Sequence, residues 1–326
     1  MGPCSEPVPG LNPHNLLGGP GLQTLLHSHD FSQWEAVVAG TLGHHRSTLL
    51  EGSPSFEAEI RGGSVEEFQV LHLRGNSKVQ MLREQCGHGV LWLPLEGLTQ
   101  EWINGNDYLA EPGMALLFRP GDAMQGLTSE QLTGVSILIP KHHLQGLEAQ
   151  SPLVGSGLAH RKLIAAGLQL AQAAAWQPQG SRQAAAALAD ALQQWGQPLD
   201  PSLHRERVTA KRRRHAVAEA CRWMEEHLAE RFSIGELSQA MGLSIRTLQY
   251  CFQQEMGCTP MAEAKRLRLR RLRRLLQNPN LGHRSIAELM AEAGLLACGV
   301  TSADYRRWCG ETPRRTRTAS TTQFPT

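Results

Sequence analysis

The stretch from Ser233 to Pro260 constrains the fold more than any other part of this 326-residue chain. Ser233 and Glu236 match a capping box, in which a serine hydroxyl and a glutamate carboxylate satisfy the free amides of a helix's first turn. Gly242 tolerates the positive φ at which helices often end, and Ser244 is suited to cap a second helix. The pattern therefore predicts two short helices joined by a tight turn.

Apolar and polar residues fall on opposite faces of the second of these helices. Leu248, Cys251 and Phe252 are predicted to point into the core. The residues predicted to point outward are Arg246, Thr247, Gln249 and Tyr250. A polar outer face on the second helix of such a pair is what reading bases in the major groove of DNA requires.

The same arrangement returns in the segment from Ser285 to Pro313. Ser285 and Glu288 repeat the capping box, and Gly294 repeats the helix end. Both segments close on the sequence G-x-T-P. One Ser-x-x-Glu string arises often by chance, whereas two copies with matching ends indicate a double helix-turn-helix.

The segment between the two units, Glu263 to Gln277, is predicted to be an amphipathic helix. Its apolar arc is formed by Leu269, Leu272, Leu275 and Leu276. The opposite arc is formed by Arg266, Arg270, Arg271, Arg273 and Arg274. A run of one charge sign repels itself, so we expect an anionic partner for this face; a solvated charged surface is the alternative.

With these features, residues from about Ala216 to Arg317 resemble the DNA-binding module of the AraC/XylS transcription regulators. That family joins two helix-turn-helix units by a central helix and ends each unit in a G-x-[ST]-P turn. The resemblance implies that Arg246, Gln249 and Tyr250 face the bases. The residues expected at phosphates are Ser244, Thr247, Arg266, Arg270, Arg273, Ser302, Arg306 and Arg307.

The second unit departs from the family pattern at its reading helix. Where the family usually has G-F-x-[DS]-x-S-x-F, this chain has GLLACGVT from Gly294 to Thr301. The positions expected to face bases hold Cys298, Gly299 and Ala303, which cannot make bidentate contacts with a base. The hypothesis that follows is that the first unit reads sequence while the second anchors to phosphate.

Charge is distributed unevenly along the chain. From Arg205 onward, 22 Lys and Arg stand against 12 Asp and Glu, a net charge of +10, whereas the preceding part has 10 against 18, or −8. A strongly basic segment is the electrostatic signature of a polyanion binder. The chain has no run of roughly 18 apolar residues, no secretion signal, and seven scattered cysteines without a C-x-x-C pair. We therefore expect a cytoplasmic protein without membrane contact or a zinc site.

Residues 56–140 read as short strands separated by turn residues. The predicted strands are Phe56–Ile60, Phe68–Leu73, Val79–Arg83, Val90–Leu93, Gln100–Ile103, Tyr108–Leu109, Met114–Phe118 and Val135–Ile139. Asn104-Gly105 predicts a hairpin turn. Such a pattern is typical of a jelly-roll or barrel. The sequence E-x-G-M-A-L-L-x-R-P-G-D, which begins at Glu111, resembles the cupin-like sensor domain of the same family.

A cupin-like barrel can also be an enzyme. Catalytic cupins hold a metal with an H-x-H and Glu cluster and a later His, but His72 stands alone on its strand, and the pair His142-His143 has no third ligand at a helpful spacing. We therefore expect no catalytic residue, no cofactor and no metal. The candidate effector-binding residues are His72, Trp92, Trp102 and Tyr108, although aromatic residues in a barrel fill the core at least as often.

The predicted fold class is α+β, with an N-terminal cupin-like β-barrel followed by helices and a C-terminal all-α double helix-turn-helix domain. The predicted segments are a poorly ordered terminus (1–30), a sensor or oligomerisation barrel (31–145), a helical segment (155–196), a linker (197–210), the DNA-binding domain (211–318, with units 233–260 and 285–313) and a tail (319–326). A break at 177–180 divides the helical segment into two helices. The resemblance implies a dimer contact on these helices; packing on the barrel is the equal alternative.

These observations predict a bacterial-type, sequence-specific DNA-binding transcription regulator that is controlled by its N-terminal domain. The expected partners are double-stranded DNA, a small-molecule effector, a second copy of the chain and RNA polymerase. Two alternatives remain: a cupin-type metal-dependent enzyme with a basic tail, and a DNA-binding protein whose barrel only dimerises.

Overall fold

The computed structural model describes residues 19–43, 45–50, 55–85, 87–147, 150–155, 158–176, 181–196 and 204–319. The chain divides into two compact units. One comprises Met1–Leu153 with Ala165–Leu192, and the other comprises Val154–Ile164 with Gln193–Thr326. Within the described ranges, no helix is both long enough and apolar enough to cross a bilayer.

The first unit is built on two largely antiparallel sheets. In chain order the strands are β1 (Gln23–Ser28), β2 (His45–Leu49), β3 (Ala58–Val65), β4 (Phe68–Gly75), β5 (Val79–Glu84), β6 (Gly89–Glu96), β7 (Thr99–Ile103), β8 (Asn106–Ala110), β9 (Ala115–Phe118), β10 (Ala123–Thr128), β11 (Leu132–Ile139) and β12 (Leu153–Val154). One sheet has the order β1-β3-β4-β11-β6-β9-β12 and the other β2-β5-β10-β7-β8. Helix α1 (Phe31–Leu42) lies between β1 and β2 in the chain.

An apolar core fills the space between the two sheets. Alternate residues of each strand contribute to it, such as Leu71 from β4, Trp92 from β6 and Met124 from β10. Helix α1 adds Trp34, whose ring lies 5.4 Å from that of Phe31 in a stacked arrangement. The two-layer β-structure expected for this half of the chain is therefore present.

All eight predicted strands are present, with boundaries that shift by a few residues. The hairpin between β7 and β8 turns at Asn104 and Gly105, which have φ of 49° and 81°. Strands β1, β2, β10 and β12 and helix α1 were not predicted. Strand β10, AMQGLT, lacks a run of β-branched residues and contains a glycine, so its identity as a strand depends on pairing with β5 and β7.

Two segment predictions need correction. Residues 23–28 form β1, paired with β3, although they fall in the stretch expected to be poorly ordered; residues 1–18 lie outside the described ranges. Residues 204–210, predicted as linker, form the first turns of helix α4 (His204–Glu226), which begins before the basic run. Residues 197–203 of the predicted linker are outside the described ranges.

The helical segment consists of α2 (Leu158–Trp176) and α3 (Ser181–Gly196), as predicted. Within the first unit, α2 packs closely on the first sheet at Gly167. A β-carbon there would lie 3.0 Å from Leu93 and 3.2 Å from Leu91, side chains that point away from the inter-sheet core. This contact supports the packing alternative for these helices, and a dimer contact on them stays a prediction.

The described part of the second unit is mainly helical. Its remaining helices are α5 (Ile234–Ala240), α6 (Ile245–Met256), α7 (Pro260–Gln277), α8 (Ile286–Glu292), α9 (Gly299–Cys309) and α10 (Pro313–Ala319). A buried cluster joins α4 to α7 through residues such as Met224, Leu237, Phe252 and Leu267. This packing gives the first helix-turn-helix unit a buried inner surface.

Candidate nucleic-acid interface

Both helix-turn-helix units begin with the predicted capping box. The hydroxyl of Ser233 accepts a hydrogen bond from the Glu236 amide at 3.2 Å, and the Glu236 carboxylate accepts one from the Ser233 amide at 2.7 Å. Ser285 and Glu288 make the same pair of bonds, at 3.2 and 2.6 Å. The amide of Ser233 lowers the pKa of the Glu236 carboxyl, since this bond favours the ionised form.

The turns between the paired helices are also equivalent. Gly242 and Gly294 have φ of 61° and 76°, as predicted for the glycine that ends each first helix. In the first unit, the Leu243 amide donates to the Ser238 carbonyl at 3.1 Å. In the second, the Leu295 amide donates to the Met290 carbonyl at 2.8 Å. The duplicated sequence therefore folds into a duplicated local geometry.

Helix α6 presents the predicted outer face. Leu248 and Phe252 are fully buried, whereas Arg246, Thr247, Gln249 and Tyr250 are exposed. Ser244 caps the helix by accepting from the Thr247 amide at 3.1 Å, and the two hydroxyls lie 2.8 Å apart. The three candidate base-reading side chains thus stand on one rigid helix, with the two candidate phosphate-binding hydroxyls at its amino end.

Helix α9 of the second unit differs from α6 in what it exposes. Its buried side is anchored by Tyr305, whose hydroxyl lies 2.9 Å from that of Thr316. Cys298, Gly299 and Ala303 are exposed, as expected. Leu296 and Val300 are exposed too, at 58% and 71%. This surface is apolar where α6 is polar and charged.

The candidate phosphate-binding residues of α9 differ in how exposed they are and in whether they bond to other groups of the protein. Arg306 is exposed. Arg307 is exposed as well but donates to Asp304 at 3.3 Å, and Lys265 pairs with the same carboxylate. Ser302 is half-buried and donates to the Cys298 carbonyl at 3.4 Å. Arg306 is therefore the candidate of this helix with the most open guanidinium.

The central helix α7 buries Leu269, Leu272 and Leu276 as predicted, but its arginines do not form one open stripe. Arg266 donates to the buried Glu263 carboxylate at 2.9 Å, because residues three apart lie on the same face of a helix. Arg268, which was not predicted to matter, donates to the carbonyls of Leu228 and Glu230 at 3.2 and 2.8 Å. Arg266 is thus committed to an internal ion pair.

The remaining candidates of this helix lie at different depths. Arg270 and Arg273 are half-buried, and Arg274 is exposed. The positive charge of Arg273 opposes the rise in pKa that burial causes at Tyr305 and Cys309. In the basic run before the first unit, Arg213 pairs at 3.1 Å with the buried carboxylate of Glu255. Ion pairs within the folded protein thus neutralise part of the positive charge that the sequence predicted for the DNA-binding surface.

The barrel unit contains a cavity of about 100 Å³ between its two sheets. Its wall is mainly apolar, with rings from Trp34, Phe56, Trp92 and Phe118. Three charged residues line the cavity: Arg74 of β4, which is exposed, and Arg83 of β5 and Glu101 of β7, which interrupt the apolar wall. A small concave site with an apolar wall and few polar groups is typical of small-molecule binding.

Glu101 is buried in this wall, and Arg83 is half-buried. Desolvation raises the pKa of Glu101 to about 8, although the positive charge of Arg83 acts in the opposite direction. Desolvation also lowers the pKa of Arg83 to about 10. Glu101 Oε2 has no hydrogen-bond partner among the described residues. A β-carbon at Gly126, directly across from Glu101 in β10, would lie 2.4 Å from that oxygen.

The structure separates the four candidate effector-binding residues. Trp92 lines the cavity and donates its indole N–H to Thr99 at 3.1 Å. Trp102 lines an open surface depression instead, and Tyr108 is half-buried against the core. His72 is buried beside Arg61 and Val135 and does not belong to the cavity wall. Strand alternation explains this, since Leu71 and Leu73 on either side of His72 point inward.

His72 is nevertheless an unusual buried group. Burial lowers its pKa to about 4, and the nearby charge of Arg61 acts in the same direction. Neither of its ring nitrogens has a hydrogen-bond partner in the described part of the chain. Glu101 is a candidate site residue that sequence reasoning missed; the alternation Thr99, Glu101, Ile103 would have placed it on the inward face.

Comparison with protein families assigns both halves of the chain. An AraC-binding-like domain matches residues 34–220, which is more than half of the chain. A helix-turn-helix domain matches residues 237–319. The second match contains the second capping box and both reading helices, and it begins just after the first capping box.

Several curated regulators resemble the helix-turn-helix region. Over 94 residues the chain is 32% identical to the XylDLEGF operon transcriptional activator 2 of Pseudomonas putida, covering 29% of this chain and 60% of the relative. It is 32% identical over 109 residues to the activator RhaS of Escherichia fergusonii, covering 33% and 37%. A probable thc operon regulatory protein of Rhodococcus erythropolis is 27% identical over 91 residues, covering 28% and 27%. The matches thus span 27% to 60% of these relatives' own lengths.

Solved structures give matches of the same kind. The AraC-like transcriptional activator CuxR is 14% identical with a TM-score of 0.45, and the match covers 83% of this chain and 99% of CuxR. The DNA-binding domain of AdpA in complex with a target DNA is 27% identical with a TM-score of 0.30, covering 32% and 91%. Because the AraC-binding-like domain extends over more than half of its residues, this chain belongs to the AraC/XylS family of transcription regulators.

Proposed function

We propose that this chain is a cytoplasmic, sequence-specific DNA-binding regulator whose first helix-turn-helix unit reads bases and whose second unit holds the phosphate backbone. The observation that carries the proposal is the exposed outer face of α6, with Arg246, Gln249 and Tyr250 on a helix whose other side is fully buried. Arginine suits guanine and glutamine suits adenine, each good bidentate pair being worth roughly 1–3 kcal/mol of discrimination. Relatives named as operon activators support a role in transcription.

The two units are assigned different roles because they expose different side chains. The exposed surface of α9 offers Cys298, Gly299 and Ala303 where α6 offers long polar groups. Arg306 at its far end is open to a phosphate. Phosphate contacts set affinity and orientation, whereas base-edge contacts set sequence. We no longer include Arg266 among the phosphate contacts, because its guanidinium is paired with Glu263.

Binding-site selection on the full-length protein tests this assignment. We expect Arg246→Ala and Gln249→Ala each to lose preference at a base position while the rest of the selected sequence is kept. Arg274→Ala is the matched control, since Arg274 is an exposed arginine of α7 rather than of a reading helix. An unchanged selected sequence for both α6 variants would contradict the proposal.

We further propose that the barrel cavity binds a small effector that has an apolar body and one polar group directed at Arg83 and Glu101. The apolar rings of the wall favour the body of such a ligand, and the two charged groups favour one hydrogen-bonding end. The proposal drops His72, Trp102 and Tyr108 from the predicted set, keeps Trp92, and adds Arg83 and Glu101. A second copy of the chain and RNA polymerase are the protein partners that this regulator function calls for.

A thermal-shift screen of small apolar acids, alcohols and amines tests the effector site. A ligand that binds the folded state raises its melting temperature by mass action. We expect the active compounds to lose their effect in Glu101→Gln, while Glu57→Gln on the surface keeps it. A screen without active compounds would favour the alternative that the barrel only dimerises.

A further inference from the structure

Three potential metal ligands meet on the surface of the barrel unit, away from the cavity. His142 and His143 lie on the 3-10 turn Lys141–Leu144 that follows β11, and Glu67 lies on the turn between β3 and β4. The Glu67 carboxylate oxygens are 2.8 Å from Nε2 of His143 and 3.0 Å from Nε2 of His142. The ligand atoms of the three residues all lie within 4.8 Å of one another.

The imidazole of His143 is held in place by packing. The ring of His143 stacks on Phe68, with centroids 5.2 Å apart and an interplanar angle of 22°. Phe68 is fully buried, and so is Leu144 at the end of the same turn. The His143 amide donates to the Pro140 carbonyl at 3.0 Å. Rigid supports of this kind keep ligand atoms aimed at one point, as a metal site requires.

The distances between the ligand atoms fit a small divalent ion. Ligand atoms that each lie about 2.1 Å from zinc at a tetrahedral angle are about 3.4 Å apart. The two nitrogen–oxygen distances in the cluster are 2.8 and 3.0 Å. The nitrogen and oxygen atoms therefore need to move apart by only a few tenths of an ångström to accommodate the ion. His142 is 60% exposed at its side chain, which leaves room for that movement and for water as a further ligand.

Without a metal, an Nε2–H of His143 that donates to Glu67 Oε1 at 2.8 Å accounts for the short contact. A divalent ion takes the Nε2 lone pair instead when the ring carries its proton on Nδ1. Two imidazoles and one carboxylate are ligands that zinc and its neighbours accept, whereas magnesium and calcium prefer oxygen alone.

We propose that Glu67, His142 and His143 bind one divalent transition-metal ion, of which zinc is the best fit, with water completing the coordination. The ion joins the β3–β4 turn to the 3-10 turn that follows β11 and so fastens two segments that are far apart in the chain. Because a folded arrangement of three ligands is needed, binding stabilises the folded barrel unit. None of the three ligands lines the effector cavity or belongs to the DNA-binding helices.

Calorimetric titration of metal-free full-length protein with zinc sulfate tests the site. We expect one zinc per chain for the wild type, and an affinity at least about 10-fold weaker for His142→Ala and for Glu67→Gln, since each loses a ligand. His27→Ala is the matched control, because His27 is an exposed histidine 3.9 Å from the carboxylate of Glu57 and should leave the titration unchanged. Equal zinc affinity in wild type, His142→Ala and Glu67→Gln, or no binding by the wild type, would overturn the proposal.

Cobalt as a spectroscopic probe separates this site from the cysteines of the chain. We expect weak visible bands of cobalt bound by nitrogen and oxygen, which disappear in His142→Ala. An intense near-ultraviolet band of thiolate-bound cobalt that persists in that variant would overturn the proposal, since it would assign the metal to cysteines. His142 is exposed, so the metal-free variant should melt at the wild-type temperature.

Discussion

Gly294 lies so close to the main-chain carbonyl of Leu228 that a β-carbon on it would be 1.9 Å from the carbonyl oxygen. Its counterpart in the first unit, Gly242, faces open space at the same position of the motif. Both glycines have positive φ, at 76° and 61°. The two copies of one sequence motif therefore require glycine for different reasons. At Gly242 only the positive φ requires it, whereas at Gly294 both the positive φ and the lack of space for a side chain require it.

We predict that Gly294→Ala destabilises the protein more than Gly242→Ala does. At Gly242 the cost is that of a left-handed backbone with a β-carbon, roughly 1–2 kcal/mol. At Gly294 the clash with Leu228 adds roughly 1–3 kcal/mol, because the neighbouring atom is backbone and cannot swing aside. Urea unfolding of the two variants measures the difference, and equal losses would contradict this reading of the contact.

Arg266 is predicted to contribute more to the stability of the fold than to DNA binding. Glu263 is 3% exposed at its side chain, so Arg266→Ala leaves a buried carboxylate without its main partner. Loss of one member of a buried pair costs roughly 3–5 kcal/mol, and the free energy of unfolding should fall accordingly. Arg274→Ala, an exposed arginine on the same helix, should change it by less than about 0.5 kcal/mol. Similar stability of the two variants would return Arg266 to the candidate phosphate contacts.

Arg306 should contribute to affinity without contributing to sequence preference. Removing one phosphate contact lowers the slope of log affinity against log salt by about one. We therefore expect Arg306→Ala to weaken binding to selected and random duplexes by the same factor and to flatten the salt dependence. Fluorescence anisotropy at several salt concentrations measures both effects. A change in the preferred sequence would instead assign base reading to the second unit.

The buried Glu101 should make the barrel unit less stable as pH rises. Burial raises the pKa of this carboxyl from its ordinary value of 4.5 to about 8. Between these pH values the folded state keeps a proton that the unfolded state releases, so stability falls by up to about 1.4 kcal/mol per pH unit. Glu101→Gln should remove this dependence between pH 5 and 8, whereas Glu57→Gln should keep it. If the melting temperatures of wild type and Glu101→Gln changed with pH in the same way, Glu101 would have an ordinary pKa and the prediction would be wrong.

Much of the second unit could be predicted because its signals are local. A capping box joins residues three apart, such as Ser233 and Glu236, and a glycine with positive φ ends the helix a few residues later. Residue type and spacing alone decide such interactions. The outward direction of Arg246 and Gln249 followed from helical periodicity in the same way.

The barrel was predicted less completely, because a strand is stabilised by partners elsewhere in the chain. Strand β10 is recognisable only through its pairing with β5 and β7. The inward direction of Glu101 could have been read from strand alternation, but its environment could not. Burial raises its pKa, and the charge of Arg83, which lies on a strand two places away in the sheet, opposes that rise.

The sequence by itself determined the duplicated helix-turn-helix, the helical face of α6 and the approximate strands of the barrel, because each depends on residues close together in the chain. Only the tertiary structure decided which charges remain open to DNA, since Arg266 and Arg268 bond to groups within the protein. It also decided that His142 and His143 have a third potential ligand. Glu67 lies 76 residues before His143, and no local pattern records a contact that the pairing of β4 with β11 brings about.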